Sequence, residues 1–395
     1  MGMKRSYFLI DTGLSDYDHG DFLEYWNENR DDTDFLQQFE RILWRESKEA
    51  TQKGFMHDLW FVRDVIGFIR KEKRLVYAGS NAAYSALAFA MGITNNIDPF
   101  CHGYFPEMLY GIRRNRRPII PLIIPFDMEV SIARYLETVY GKDNVSYSDR
   151  TYTVSLNVGE EAYQFYLNLT RSYALSFAER MINAEIANGN TTGNTDKFGR
   201  CLFGRIDRNF SVPEEMQTLL ASTELREVVT DFLELYSGMD KSIMDNRDRF
   251  VKETLDGTFD GLVKMLAATM GQNIWDGTES CAAAVGIFTR DDLFNWSVRF
   301  TQDKEIAFSI MEDIRKGKGR EGKGLQKWKR YFSSGDMNAS LMYYRAVNSI
   351  GFLVSERAVL PYGQILLYLA DAKRRNRDLY QGIFREILEI KRAVG

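Results

Sequence analysis

The chain is poor in sulfur nucleophiles and poorer in imidazole. Three cysteines, Cys101, Cys201 and Cys281, stand far apart in 395 residues, with no CxxC spacing and no even-numbered framework. That pattern argues against a disulfide scaffold and a zinc ribbon, and it points to a reducing, cytoplasmic compartment. The three histidines, His19, His57 and His102, never fall at HxH or HxxxH spacing. A histidine metal site is therefore not expected, and no metal or other cofactor is assigned. No apolar run approaches the roughly 20 residues of a membrane span, so no membrane partner is expected. The apolar stretch near the first residue is too short for a signal peptide. The net charge of −4, from 51 basic and 55 acidic residues, selects no partner by itself. What is present is an ordinary globular balance, 45% hydrophobic and 27% charged, in a chain long enough for two or three domains.

The near-neutral total hides strong local charge. Residues 11–34 carry nine acids (Asp11, Asp16, Asp18, Asp21, Glu24, Glu28, Asp31, Asp32, Asp34) against Arg30, a net of −8. Residues 315–330 carry eight bases against Glu321, a net of +7. Smaller basic clusters are Arg113, Arg114, Arg116, Arg117 and Lys373, Arg374, Arg375, Arg377. Such blocks define local potential, although solvated loops account for many of them. The acidic segment does not have the ligand order of a calcium loop, and it reads better as a solvated loop capping the next helix.

Along the chain, Phe35, Leu36, Phe39, Ile42 and Leu43 recur at helical spacing, and Met56 to Ile69 forms a second apolar helix after Gly54. Residues 80–92 are small and apolar, as in a buried helix. Residues 118–126 hold three prolines, which argue against both a helix interior and a central strand. Val130, Ile132, Ala133, Leu136 and Val139 make an amphipathic helix that Gly141 ends. The period then changes. Tyr152, Val154 and Leu156, followed by Tyr163, Phe165, Leu167 and Leu169, alternate with polar residues around Asn157–Glu160, the signature of a hairpin. A helix over about 171–187 and a polar loop at 188–194 follow, and helical patterns run to the end. The class is α+β, with strands confined to the first half.

Several segments, in order, resemble the bacterial C-family replicative DNA polymerases, the polymerase III alpha subunit. Ser85-Ala-Leu-Ala-Phe-Ala-Met-Gly-Ile-Thr94 and Asp98-Pro99 look like the family's SLVAYALxIT…DP. Glu107 and Arg114 fall on the Glu and Arg of its FERFLNPER segment, and Tyr140-Gly141 on a helix-ending Tyr-Gly. Tyr166-Leu-Asn-Leu169 and Met181-Ile-Asn183 are similar to FLGL…MIN, Phe259–Asp276 to the segment before FRPG, Asp313–Lys316 to LLRKAMGKK, and Ser349-Ile-Gly-Phe352 with Ser355 to GYGFNKSHS. The resemblance implies a polymerase-beta-like nucleotidyltransferase palm with a small sheet, plus a mainly helical fingers region. The expected division is an acidic segment over 1–33, a palm-like domain over 34–190 and a fingers-like domain over 191–395.

The departures concern the chemistry. The family holds two magnesium ions with carboxylates in PDxDxDF and KFDF segments. Here Ile119 and Pro121 fall on the first pair, and Phe165 on the third, so no catalytic residue and no metal site are assigned. The Gly-rich PGRGS loop corresponds to Tyr77–Asn81 without its Arg, and the FRPG Arg falls near Gly271-Gln272. Leu353, Val354 and Glu356 replace the Asn, Lys and His of GYGFNKSHS. Asp127 and Glu129, just past the lost motif, suit a helix N-terminus better than a displaced metal site. Cys101 and His102 have no third partner for a nucleophilic dyad.

The surviving functional signal is the basic run. Arg315, Lys316, Lys318, Arg320, Lys323 and Lys327 sit among glycines with Trp328 and Tyr331 alongside, as in binders of nucleic-acid backbones; Arg113 and Arg114 join them as candidates. It lacks the Walker pattern. The expectation is a catalytically degenerate, reduced palm-and-fingers relative, suited to a phage, that is not itself an enzyme. It would act in DNA replication or its control by binding DNA, primer-template or a replisome partner. The alternatives are a scaffold or inhibitor that mimics the polymerase without touching DNA, and a split or relocated-site nucleotidyltransferase.

Overall fold

The computed structural model describes residues 31–78, 80–94, 109, 117, 119–148, 150–158, 160–189, 212, 214–315 and 347–394. These form two compact units, the first running to Arg171 and the second starting at Ser172.

In the first unit, α1 (Thr33–Gln52) begins where the acidic segment ends. The Asp32 carboxylate accepts the Phe35 amide at 3.0 Å, a side-chain cap that satisfies one of the helix's orphan donors. Its inward stripe of Phe35, Phe39, Leu43 and Ala50 meets α2 (Met56–Lys71), whose Leu59, Val62, Val65, Ile66 and Ile69 are buried. The apolar spacing dictates both helices. After β1 (Tyr77–Ala78), residues 82–91 are buried as expected, but the segment divides into a 3-10 turn (Ser80–Tyr84) and a short α3 (Ala86–Ala90). The break falls at Ser85, whose hydroxyl leaves the helix to cap it, accepting from the Ala88 amide at 3.0 Å.

The proline-rich segment corrects the sequence reading. β2 (Pro121–Pro125) is an interior strand, hydrogen-bonded within a five-stranded sheet of order β1-β2-β5-β4-β3. The prolines stand at its two ends, so Leu122, Ile123 and Ile124 keep their amides. β1 asks for only two residues of pairing, Tyr77 with Ile123 and Ala78 with Leu122. Proline excludes itself from a ladder position, not from bracketing a short one.

α4 (Glu129–Tyr140) follows and stops at Gly141, whose φ of +88° suits glycine. β3 (Val145–Ser148), β4 (Thr151–Val158) and β5 (Glu161–Ser172) are antiparallel neighbours, with Val154 opposite Phe165 and Val158 opposite Glu161. The expected hairpin is β4–β5; β3 is an additional strand. Alternation sends Val154, Phe165 and Leu167 to the core with Leu122 and Ile124. The opposite face carries Ser146, Thr153, Ser155, Gln164, Tyr166 and Asn168.

The second unit is helical among the described residues: α5 (Tyr173–Ala187), α6 (Glu214–Leu220), α7 (Thr223–Leu235), α8 (Lys241–Asp245), α9 (Arg247–Thr254), α10 (Phe259–Met270), α11 (Arg290–Thr301), α12 (Lys304–Ile314), α13 (Glu356–Arg375) and α14 (Arg377–Val394). α13 is buried along most of its length and packs on α5, α7, α10 and α14. Aromatic contacts such as Phe177–Tyr380, with ring centroids 4.9 Å apart, join α5 to α14. No described helix is long and apolar enough to cross a membrane.

Candidate functional site

The sheet order places β2 beside β5, so the two strands that carry the family's metal positions are neighbours. The side chains do not converge. Ile119 is 49% exposed and Pro121 alternates with the core residues Ile120 and Leu122. Phe165 points to the opposite face, into the core, stacked on Phe61 at 5.1 Å between centroids. On the face that Pro121 shares, β5 presents Gln164 and Tyr166, with the Tyr166 hydroxyl donating to Gln164 Oε1 at 2.9 Å. All of these groups are neutral, and a neutral side chain cannot offset the charge of a hard divalent cation.

Nearby carboxylates are engaged elsewhere. Asp127 pairs with Arg74 at 2.6 Å. It is not a cap, because the N-cap position of α4 is Met128 and has no side-chain cap bond. Glu129, in the first turn of α4, faces Arg171 at 3.4 Å and accepts from the Tyr152 hydroxyl at 3.4 Å. Sequence reading missed Asp58, a carboxylate on the apolar stripe of α2. It is 6% exposed and lies 3.5 Å from Arg117 Nε, and its Oδ2 accepts no hydrogen bond. Burial pushes its pKa up to about 6, against the opposing pull of Arg117 and His57. Arg117 also donates to the Gln164 carbonyl, so this cation is tied to β5. An acid at a core position of an amphipathic helix was the signal available in the sequence. Among the described residues no three His, Cys, Asp or Glu side chains come together to hold a metal.

The segment that stands for the Gly-rich loop runs from β1 into the 3-10 turn. Beyond it the buried Glu46 carboxylate reaches the start of α3: it accepts from the Ser85 hydroxyl, from the Ala86 amide at 3.0 Å and from the Leu87 amide at 3.2 Å. Backbone donors that could face an anion are thus taken by a side chain of α1.

In the second unit, two segments that the resemblance links to the incoming nucleotide do meet. Gln272 and Phe352 form an antiparallel bridge, with Gln272 N donating to Phe352 O at 2.9 Å and Gly351 N to Gln272 O at 2.9 Å. Gly271 permits this approach, since a Cβ there would lie 3.0 Å from the Phe352 carbonyl oxygen. Around the junction the charges are mixed, with Asp291, Asp292 and Glu356 standing beside Arg290 and Arg357. The Glu356 amide donates to Asp291 at 2.8 Å, and burial together with Asp291 and Asp292 pushes the Glu356 carboxyl up to about 8, Arg357 pulling the other way.

Of the candidate nucleic-acid contacts, Arg315 is described. Its guanidinium is paired with Glu312, with one bond at 2.9 Å, and its carbonyl accepts from Leu353 at 3.2 Å. Lys316, Lys318, Arg320, Lys323, Lys327, Arg113 and Arg114 lie outside the described residues, as do Cys101, His102 and residues 11–30 of the acidic segment. The cluster at 373–377 is paired within the second unit, and only its Lys373 is buried. Lys373, 3% exposed, pairs with Glu227 at 3.0 Å and Asp231 at 3.1 Å; Arg375 meets Glu185 at 2.5 Å and Arg377 meets Glu227 at 2.8 Å. These cations bind the helices of one unit to each other.

A unit with a small sheet and helices, and a second, helical unit, are compatible with a polymerase palm and fingers, and comparison with known proteins bears on that class. No protein-family model matches the chain. Over 143 residues it is 27% identical to a PolC-type DNA polymerase III of Caldanaerobacter subterraneus subsp. tengcongensis, a stretch that is 34% of this chain and 9% of that protein. Over 102 residues it is 28% identical to the error-prone DNA polymerases of Pseudomonas paraeruginosa and Pseudomonas aeruginosa, covering 26% of this chain and 10% of each of them. The chain therefore matches about a tenth of the length of these curated relatives. Over these stretches it is distantly related to DNA polymerase III-type enzymes.

Proposed function

We propose that this chain is a non-catalytic relative of the polymerase III alpha subunit that acts in DNA replication or its control by binding nucleic acid or a replisome partner. The observation that carries the reading is the state of the palm strands. β2 and β5 are neighbours as the chemistry would need, yet Pro121, Gln164 and Tyr166 share the relevant face and Phe165 is in the core. Two-metal catalysis relies on ions that stabilise both the attacking and the leaving oxygens; without ligand carboxylates, positioning alone does not replace them. The basic run at 315–327 then serves as a phosphate-backbone contact.

The purified chain is expected to incorporate no nucleotide on a primed template with magnesium or manganese, in a gel-based extension assay. Template-dependent extension that Asp127→Ala abolishes would overturn the proposal and favour relocated chemistry. One observation favours the second reading, a scaffold that mimics the polymerase without touching DNA. The polar face of β3, β4 and β5 carries hydroxyls and amides but no Lys or Arg at the register positions of its ladder. Absence of DNA binding at low salt would select that scaffold.

A further inference from the structure

Helix α1 carries a surface that the polymerase-related features leave unused. Its buried stripe of Phe35, Phe39, Leu43 and Ala50 completes its contribution to the core. Trp44 lies outside that stripe and is 61% exposed. Helical geometry sets Arg41 one turn before it and Lys48 one turn after it on the same face, both exposed. The contact is observed as well as implied by spacing: Lys48 Nζ lies 4.9 Å from the centre of the Trp44 ring. Glu49 is held by Lys53 at 2.5 Å, and Glu40, also one turn before Trp44 and exposed, leaves the face with two cations against one carboxylate.

A lone exposed apolar side chain needs no explanation. An indole between two cations is a different object. A flat π surface accepts any base by stacking, and the flanking charges meet the phosphates on either side of it, the combination that single-strand binders use. An acidic peptide would satisfy the cations and leave the ring unused.

We infer that the α1 face centred on Trp44 is a binding site for single-stranded nucleic acid, with a base stacked on the indole and backbone phosphates held by Arg41 and Lys48. The inference rests on the nucleic-acid-binding reading above and assigns to it a site separate from residues 315–327.

Fluorescence anisotropy of a labelled oligothymidylate with the full chain tests it. Trp44→Ala should weaken binding roughly tenfold or more, and Trp44→Phe, which keeps a ring, should fall between it and the wild type. The double variant Arg41→Gln, Lys48→Gln should make the slope of log affinity against log salt shallower by about 1.4, at about 0.7 per phosphate on a single strand. Because Trp44 is exposed, Trp44→Ala should leave the thermal unfolding midpoint unchanged, which separates a lost contact from a lost fold. Equal affinity of wild type and Trp44→Ala overturns the site but leaves nucleic-acid binding in place, most directly when replacing Lys316, Lys318, Arg320 and Lys323 by Gln removes that binding. Polyglutamate binding as tightly as the oligonucleotide, with Trp44→Ala affecting neither, assigns the face to charge alone and overturns it too. No binding by the wild type at low salt removes both the site and the reading it rests on.

Discussion

Asp58 is a carboxylate where an amphipathic helix asks for a hydrophobe, and its environment states the cost. Burial disfavours the charged form more than the Arg117 guanidinium, 3.5 Å away, restores it. Its folded-state pKa is therefore raised, from the ordinary 3.8 to about 6. Because the folded form binds the proton more tightly, the stabilisation is fully present below the ordinary value and is lost as pH rises through about 6. Asp58→Asn should stabilise the fold near neutral pH by up to about 3 kcal/mol, seen as a higher thermal midpoint, and change little near pH 4. Melts of both proteins across that range check the sign; a variant less stable at neutral pH would show that the Arg117 pair outweighs burial. At this scale the sequence was legible only in part. His57-Asp58 could be seen as polar residues in an apolar stretch, but the partner that defines Asp58 is 59 residues away in the chain, brought close by the fold.

The helices were legible because their apolar residues recur every three or four positions. α1, α2, α4 and α5 fall where that spacing puts them, and the β4–β5 hairpin falls where the period becomes two. β2 was not legible, because the three prolines of 118–126 argue locally against a strand while the requirement that decides the matter, three free amides between two neighbours, is set by β1 and β5. β3 was missed for a related reason: four residues, Val145 to Ser148, are too few to display a period. The charges at the end of α13 show the converse. Lys373 reads as surface and is instead buried between Glu227 and Asp231, its ammonium 4.5 Å from the centre of the Tyr380 ring. Lys373→Ala should cost about 3 kcal/mol in denaturant unfolding, since it leaves the Asp231 carboxylate with only the Tyr380 hydroxyl while Glu227 keeps Arg377, whereas Lys373→Met with Asp231→Asn should recover much of the loss. Equal stability of wild type and Lys373→Ala would place these pairs with ordinary surface bridges.

Across the whole molecule, charge is sorted by role. The cations of 373–377 pair with carboxylates of their own unit, and the proposed contacts with a polyanion are the run at 315–327 and the face around Trp44. If the run contacts duplex DNA, replacing Lys316, Lys318, Arg320 and Lys323 by Gln should flatten the slope of log affinity against log salt by about 3.6, at about 0.9 per phosphate. Titrations at several salt concentrations read this directly, and an unchanged slope would remove the run from the interface. The candidate site was legible as residue types in family order. That Phe165 and Pro121 end on opposite faces of the sheet was not, because facing is a property of the assembled strands.

The carboxylate of Glu46 has a final consequence. The amides of Ala86 and Leu87 and the hydroxyl of Ser85 make a small cradle for negative charge, and the chain delivers its own anion to it from α1. A tethered ligand competes at an effective concentration that a free one rarely attains. Inorganic phosphate or a nucleotide arriving at that cradle would face an internal rival already seated, so the start of α3 behaves as a lock whose key is built into the door.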